Sequence, residues 1–108
     1  MPKLIRPPQE PVSLAHRLTA AVLLAQCAPV IPVHITLGRG LNIWITADVD
    51  ETIHIQLGRR KSEPSLQEWN TVLKYWPWSI NAAPQKEIDG DWTYLNAVID
   101  KQKQINLF

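Results

Sequence analysis

The chain has 108 residues, which suffices for one hydrophobic core and not for two, so we expect a single domain. Hydrophobic residues make up 45% of it and the formal net charge is +1, which argues against disorder and against a protein that holds nucleic acid through bulk charge. The single cysteine, Cys27, excludes an intramolecular disulfide and a cysteine-rich zinc site, and it is typical of a reducing compartment.

The two ends of the chain differ in composition from its middle. Residues 1–12 contain four of the nine prolines and show no periodicity, which predicts an extended proline-rich arm. Residues 101–108 alternate only weakly and are expected to form a C-terminal tail. The strongly periodic segments lie between these ends, so a single α+β domain is expected over residues 13–100.

The apolar run Leu18–Val33 is the part of the chain most like a targeting or membrane segment. Gln26, Pro29 and Pro32 interrupt it before about 18 apolar residues have accumulated, so we expect no membrane span and no membrane partner. The long proline-rich stretch ahead of it, with Glu10, does not fit a secretory signal. We therefore expect a cytoplasmic protein.

A first helix is predicted to begin after Ser13, a typical N-cap residue, and to end at Pro29. Its main apolar stripe consists of Leu14, Leu18, Ala21, Val22 and Ala25. Leu23 and Leu24 lie away from this stripe, so the helix is apolar around its whole circumference there and has to be covered on two sides. Either other helices of the same chain cover the second side, or it is a subunit interface.

Three runs within Pro32–Leu57 alternate apolar and polar residues with the period of two that a half-buried strand requires. A three-residue loop at Gly38–Gly40 pairs Ile35 with Ile43. It brings the apolar side chains of the first two strands to one face, whereas a two-residue loop would mix the faces. The odd loop length is therefore predicted.

The same parity argument applies to the next loop, Asp48–Asp50. Three residues there pair Ile45 with Ile53 and complete an antiparallel meander whose one face is wholly aliphatic. The other face is polar and carries His34, Thr36, Asn42, Trp44, Thr46, Thr52, His54 and Gln56.

A second helix is predicted to begin after Ser65, three residues before Glu68 in the spacing of a capping box, and to end at Pro77. Its stripe comprises Leu66, Trp69, Val72, Leu73 and Trp76. Residues Trp78–Asp89 are expected to be irregular. Asp91 is expected to cap a short last helix whose one side carries Trp92, Leu95, Val98 and Ile99. The predicted fold class is α+β: a helix, a three-stranded antiparallel meander, then two helices, with the helices packed on one sheet face.

The predicted register places His34, Trp44 and His54 in one row across the polar face. Neighbouring strands are about 4.8 Å apart, so the histidine backbones lie roughly twice that distance from each other with an indole between them, and no metal site is expected. Aromatic rings on an exposed sheet can stack against a partner. The candidate partner-binding residues are therefore these three, with Leu23 and Leu24 on the first helix. Alternatively, the chain itself covers Trp44 or packs it across the strands.

A second set of candidate residues is basic. A meander brings the first hairpin loop and the end of the third strand to the same edge, so Arg39 is expected near Arg59, Arg60 and Lys61. The N-terminus of the second helix opens there too, and its unpaired N–H groups favour an anion. These four residues are the candidates for binding a phosphate or a nucleic acid. Alternatively, they protect a sheet edge from aggregation, and Glu63 and Glu68 neutralise part of their charge.

Catalytic motifs are missing from the sequence, which contains no HExxH, CxxC or GxSxG. His54 with Asp48 or Asp50 has the composition of an acid–base pair, but the predicted loop places both aspartates several residues away along the strand. We therefore expect no enzyme, no metal and no cofactor.

The order of elements from Ser13 to Trp76 resembles that of the double-stranded RNA-binding domain, a helix, a three-stranded meander and a second helix. In that family the second helix opens with a lysine-rich motif that grips phosphates, whereas this chain has Ser62–Ser65 there and its basic residues come earlier. The first hairpin loop of the family carries a histidine, and Gly38–Gly40 has none. The resemblance implies the order of elements and transfers no function.

Two main hypotheses about function remain, besides an enzyme with His54 as a base, which would require a pocket beside His54. The first is a small, non-catalytic interaction or regulatory module that acts through protein–protein contact, as a homodimer or with another protein, because the first helix has excess apolar surface. The alternative is a nucleic-acid or phosphate-binding protein that uses the basic residues at one end of the sheet.

Overall fold

The computed structural model describes residues 13–77, 80 and 82–100. The expected proline-rich arm, 1–12, and the expected tail, 101–108, lie outside them. The described residues form an α+β domain, as predicted. Its helices and strands are α1 Leu14–Cys27, β1 Val33–Thr36, β2 Asn42–Ala47, β3 Ile53–Arg60, α2 Leu66–Lys74, β4 Gln85–Asp89 and β5 Trp92–Ile99.

Both helices begin at the caps that the sequence predicts. In α1 the Ser13 hydroxyl accepts a hydrogen bond from the His16 N–H at 3.3 Å. In α2 the Ser65 hydroxyl accepts from the Glu68 N–H, and the Glu68 carboxylate accepts from the Ser65 N–H, which completes the capping box. Neither of these helices is long and apolar enough to cross a membrane, and the described part of the chain contains no other that is.

The five strands form one antiparallel sheet in the order β1-β2-β3-β5-β4. The predicted meander supplies its first three positions. β5 pairs along the free side of β3, and β4 forms the far edge. β3 is therefore the central strand of the sheet, whereas the sequence predicted it at an edge.

The predicted last helix is wrong, because Trp92–Ile99 forms β5. The segment expected to be irregular contains β4, and a two-residue turn at Gly90 and Asp91 joins the two strands. Gly90 has a φ of +61°, which glycine adopts without the steric penalty of a side chain. The side chains of β5 alternate between the faces, and the buried ones are Leu95, Ala97 and Ile99. Pairing with β3, a contact between distant parts of the chain, favours the strand over the helix.

The register of the first hairpin is confirmed. Val33 pairs with Ile45 and Ile35 with Ile43, as a three-residue loop requires. Arg39 at the centre of this loop has a φ of 63° in the left-handed region. The alternation predicted for β1 and β2 therefore holds.

The register of the second hairpin is shifted by two residues from the predicted one. Ile45 pairs with Ile55, not with Ile53, because the loop has five residues, Asp48–Thr52. The Asp48 N–H donates to the Thr52 carbonyl at 2.8 Å, which closes the longer loop. Three and five are both odd, so each side chain stays on its predicted face while its neighbours across the strands change.

The hydrophobic core includes the aliphatic face of the sheet, where Ile43, Ile45 and Leu57 are completely buried. Buried residues of both helices belong to the same cluster. They are Leu18, Ala21, Val22 and Ala25 of α1 and Trp69 and Val72 of α2, all on the predicted stripes. Leu66 is an exception, because it is exposed at the first position of α2.

Candidate functional site

An aromatic cluster occupies the polar face of the sheet. His34 and Trp44 lie opposite each other on β1 and β2, and their rings stack with centroids 5.0 Å apart and planes 9° apart. The Trp44 ring makes edge contacts with Trp92 and Tyr94 of β5, with centroids 5.9 Å apart in each pair. Trp92 and Tyr94 stack on each other. The chain therefore packs Trp44 across its own strands, the alternative to partner contact that the sequence left open.

Gly58 of β3 makes this cluster possible. A β-carbon at its position would lie 2.7 Å from a ring carbon of Tyr94 and 2.8 Å from a ring carbon of Trp44. A residue without a side chain leaves room for both rings. The sequence did not predict this cluster, because its apolar spacing assigned the residues after Asp91 to a helix. The Gly90–Asp91 pair, with glycine at the first position of a two-residue hairpin loop, is the signal that indicates it.

His54 is not in the row of Trp44, so the predicted row of three residues is wrong. The residue of β3 opposite Trp44 is Gln56, and His54 pairs with Thr46. His54 Nε2 lies 2.7 Å from Asp48 Oδ2. The expected separation of His54 from Asp48 is also wrong, because the five-residue loop brings the carboxylate beside the imidazole.

A groove of about 520 Å³ opens on the polar face beside this pair, and we name it the sheet-face groove. Its polar and aromatic lining consists of Trp44, Thr46, Asp48, His54, Gln56 and Asn96. His54 Nε2 donates to the Asp48 carboxylate, because a carboxylate oxygen only accepts. No group of three or more His, Cys, Asp or Glu side chains that could hold a metal ion occurs within the described ranges.

Of the four basic candidates, Arg39 and Arg59 lie close together, because Arg59 Nε donates to the Arg39 carbonyl at 2.9 Å, but Arg60 does not join them. Successive residues of a strand point to opposite faces, so Arg59 lies on the core face and Arg60 on the polar face. Arg60 lies 3.7 Å from an Asp91 carboxylate oxygen. The backbone N–H of Lys61 donates to the Asp91 carbonyl at 2.6 Å. The Arg39 side chain, at the tip of the first hairpin, makes no hydrogen bond or ion pair with a described residue.

The Glu68 carboxylate binds the Arg59 guanidinium and also accepts a backbone hydrogen bond at the N-terminus of α2. Arg59 donates two hydrogen bonds to its carboxylate, at 2.8 and 2.5 Å, and the Ser65 N–H donates a third at 2.9 Å. Arg59 is the main cause that lowers the pKa of Glu68 from 4.5 to about 2, and the carboxylate raises the pKa of Arg59. A carboxylate of the chain thus fills the position where an external anion is expected. Anion binding at the remaining cations stays a prediction.

The outer side of α1, opposite its buried stripe, is apolar and exposed from Ala20 to Cys27, and the exposed His16 lies one turn earlier on the same side. Leu23 and Leu24 are 56% and 59% exposed, so no helix of the described part of the chain covers them. Ala20 and Cys27 are exposed on the same side at helical spacing and carry no charge. We name Ala20, Leu23, Leu24 and Cys27 the outer stripe of α1. The described residues therefore do not supply the intramolecular cover that was one of the two expectations, and the subunit interface stays a prediction.

The loop after α1 adds two further apolar residues, Val30 and Ile31, both exposed by more than 60%. Val30 has a φ of 75°, a conformation that is rare for a β-branched residue. Its N–H donates to the Ala47 carbonyl at 2.8 Å, which holds the loop against β2. An exposed apolar side chain therefore occupies a strained position that glycine or asparagine would adopt at lower cost.

Comparisons with known proteins identify no relative of this chain: it matches no protein-family model, no curated protein and no solved structure. Function therefore has to be inferred from the residues and their geometry. Three surfaces are the candidates: the outer stripe of α1, the sheet-face groove and the cations that have no carboxylate partner.

Proposed function

We propose that this protein is a small, non-catalytic interaction module that associates with a second copy of itself through the outer stripe of α1. The observation that carries the proposal is the exposure of Leu23 and Leu24 on a helix whose opposite side already belongs to the core. A helix that is apolar on both sides is stabilised by cover on both. Adjacent exposed leucines are typical of contact sites rather than of solvated helix faces.

Burial of Leu23 and Leu24 would supply the driving force for self-association. A leucine side chain gains about 1.5–3 kcal/mol when it moves from water into an apolar contact. In a two-fold contact both copies contribute the same residues, so each gain counts twice. Val30 and Ile31 extend the apolar surface beyond the end of the helix. The strain at Val30 supports the proposal, because strained residues cluster where a side chain is used.

The chemistry of the outer stripe favours a second copy as the partner. Near a two-fold axis each residue faces its own copy, so a charged residue there would meet a like charge. All residues of the stripe are uncharged, and they extend over about 10 Å of helix. A contact based on one short helix face buries less than the roughly 1,200 Å² of stable interfaces, so we expect a concentration-dependent dimer.

Light scattering across a concentration series tests the proposal. We expect the mass to rise from monomer to dimer with concentration, and the double variant Leu23→Glu/Leu24→Glu to remain monomeric. Leu66→Glu is the matched control, because Leu66 is also an exposed helix leucine, 64% exposed, and lies on α2. A wild-type monomer at every concentration contradicts the proposal, and so does a dimer that survives the double substitution.

Cross-linking gives an independent measurement. Cys27 is the only cysteine and belongs to the outer stripe, so a disulfide or a short thiol cross-link joins two chains at the proposed contact. In a reducing compartment such as the cytoplasm, where we place the protein, this residue stays a thiol. Cross-linked dimer should form in the wild type and in the Leu66 variant and decrease strongly in the double variant.

Nucleic-acid or phosphate binding remains the alternative. It has less support, because Glu68 binds Arg59 and Asp91 lies beside Arg60. Arg39, which has no side-chain partner among the described residues, is its most accessible element. Binding of mixed oligonucleotides at low salt that weakens in an Arg39→Ala variant would favour this alternative over the interaction module.

A further inference from the structure

The sheet-face groove lies on the face of the sheet that does not form the core. Its volume of about 520 Å³ is within the range of about 300–1,000 Å³ that is usual for small-molecule sites. Three neighbouring strands and the β2–β3 loop contribute its lining, which combines an indole, a hydroxyl, two amides and the His54–Asp48 pair. An aromatic wall with a few convergent polar groups is the usual composition of a ligand site.

The charges of the groove favour a neutral ligand. Asp48 and His54 are the ionisable side chains of its lining, and they are hydrogen-bonded to each other. No Lys or Arg of the described residues lines it. A phosphate or carboxylate group would enter without a cation to pair with, and a cationic ligand would compete with His54 for Asp48.

The fold leaves several hydrogen-bonding groups of the groove without a protein partner. The side chains of Thr46 and Gln56 make no hydrogen bond to another described residue. Asn96 Nδ2 donates to Glu87 Oε1 at 3.0 Å, which fixes the orientation of the amide because a carboxylate only accepts. Asn96 Oδ1 is then a buried acceptor with no partner among the described residues. A ligand in the groove does not reach this buried oxygen, so the Thr46 hydroxyl and the Gln56 amide are the groups available to bind the hydroxyl groups of a ligand.

The strand register places the key groups in one row. Trp44, Gln56 and Asn96 lie opposite one another on β2, β3 and β5, and adjacent strands are about 4.8 Å apart. A sugar ring presents C–H groups on its face and hydroxyl groups at its edge. The electron-rich face of an indole attracts such C–H groups, while planar amides both donate to and accept from hydroxyl groups.

We propose that the sheet-face groove binds a neutral saccharide, with the Trp44 indole as its aromatic wall and Thr46 and Gln56 as its hydroxyl-binding groups. A nucleobase fits less well, because no Phe, Tyr or further Trp of the described residues lines the groove to enclose a flat base. The proposal does not depend on self-association, since the outer stripe of α1 contributes no residue to the groove.

Amide NMR spectra of the full chain, titrated with neutral disaccharides, test this proposal. The probes are maltose, cellobiose and N,N′-diacetylchitobiose. For at least one of them we expect saturable shifts of the Trp44 indole N–H and of the side-chain amides of Gln56 and Asn96. The Kd should be on the order of 1 mM, because the groove is open to solvent and offers few contacts.

A Gln56→Ala variant should weaken the binding by about tenfold or more, which corresponds to the loss of its hydrogen bonds. Gln85→Ala is the matched control, because Gln85 lies opposite Asn96 on β4 but outside the groove, and it should leave the affinity unchanged. Well-dispersed spectra of both variants establish that they fold. Three results would overturn the proposal: no saturable shift with any disaccharide, shifts that Gln56→Ala leaves unchanged, and tighter binding of adenosine, uridine or glucose 6-phosphate.

Discussion

Two acidic–basic pairs that lie on opposite faces of β3 differ in what surrounds them. On the core face Arg59 holds Glu68 through two hydrogen bonds, with side chains 14% and 27% exposed. On the polar face His54 meets Asp48 through one contact, with side chains 44% and 43% exposed. Water screens the second pair far more than the first. Burial and the number of hydrogen bonds therefore decide which pair stabilises the fold and which is accessible to a ligand.

The largest expected effect is that of Glu68→Ala on the core face. The substitution leaves Arg59 largely buried without its carboxylate and breaks the capping box, so the free energy of unfolding should fall by about 3 kcal/mol in urea denaturation. Glu68→Gln is the matched control, because its amide oxygen still accepts hydrogen bonds and it should lose less. Sulfate should stabilise Glu68→Ala more than the wild type, since the anion takes the vacated position. An unchanged urea midpoint for Glu68→Ala would contradict the prediction that the Arg59–Glu68 pair stabilises the fold more than the His54–Asp48 pair does.

Lowering the pH tests the Arg59–Glu68 pair in the wild-type chain. The pKa of Glu68 is lowered from 4.5 to about 2 in the folded state, mainly by the hydrogen bonds from Arg59. The unfolded chain therefore binds the proton first as pH falls, so the stabilisation present above about pH 4.5 is lost as pH approaches about 2. With partial exposure taken into account, the loss should be about 2 kcal/mol. Urea denaturation at both ends of this range measures it, and Glu68→Gln should show a smaller change.

A somewhat smaller effect is expected for Gly58→Ala on the polar face. The added methyl group meets Tyr94 and Trp44 ring carbons at under 3 Å, so the rings have to move, and the free energy of unfolding should fall by about 1–2 kcal/mol. Near-ultraviolet circular dichroism should change at the same time, because the ring geometry changes. Gly38→Ala is the control, since a β-carbon there has no atom within 4 Å. Equal stability of the two variants would show that the aromatic cluster adjusts without cost.

The smallest effect is expected for His54→Ala. Its pair with Asp48 is nearly half exposed and has one contact, so the free energy of unfolding should change by less than about 1 kcal/mol. A double-mutant cycle with Asp48→Ala measures the coupling between the two side chains. A coupling as large as the loss in Glu68→Ala would show that exposure does not distinguish the two pairs.

Features that depend on near neighbours could be predicted from the sequence. Ser13 and Ser65 cap the two helices because each cap is made within three residues. The parity of the Gly38–Gly40 loop determined the first hairpin, and alternation assigned each side chain of the meander to its face. The apolar circumference of α1 also came from local spacing, so the sequence already contained the two exposed leucines of the proposed contact.

The candidate sites depended on pairings that local patterns do not contain. Loops of three and five residues satisfy the same parity, so alternation alone could not show that Asp48 lies beside His54. The sequence indicated Glu68 as a carboxylate near the basic residues, but it did not show that Arg59 is the cation it binds, because this contact joins a strand to a helix. Each error arose where two segments meet across the fold.

By itself, the sequence determined the helix caps, the odd loop parity, and the aliphatic and polar faces of the meander, since these follow from the conformations of adjacent residues. The tertiary structure alone decided that Trp92–Ile99 is a strand, because β3 offered a free edge with which it could pair. That pairing placed Tyr94 over Gly58 and Asn96 beside Gln56, and so built the aromatic cluster and the sheet-face groove. Backbone hydrogen bonds between β3 and Trp92–Ile99 favour the strand over the helix that the apolar spacing suggested. They pair N–H and C=O groups that an isolated strand could not pair within itself.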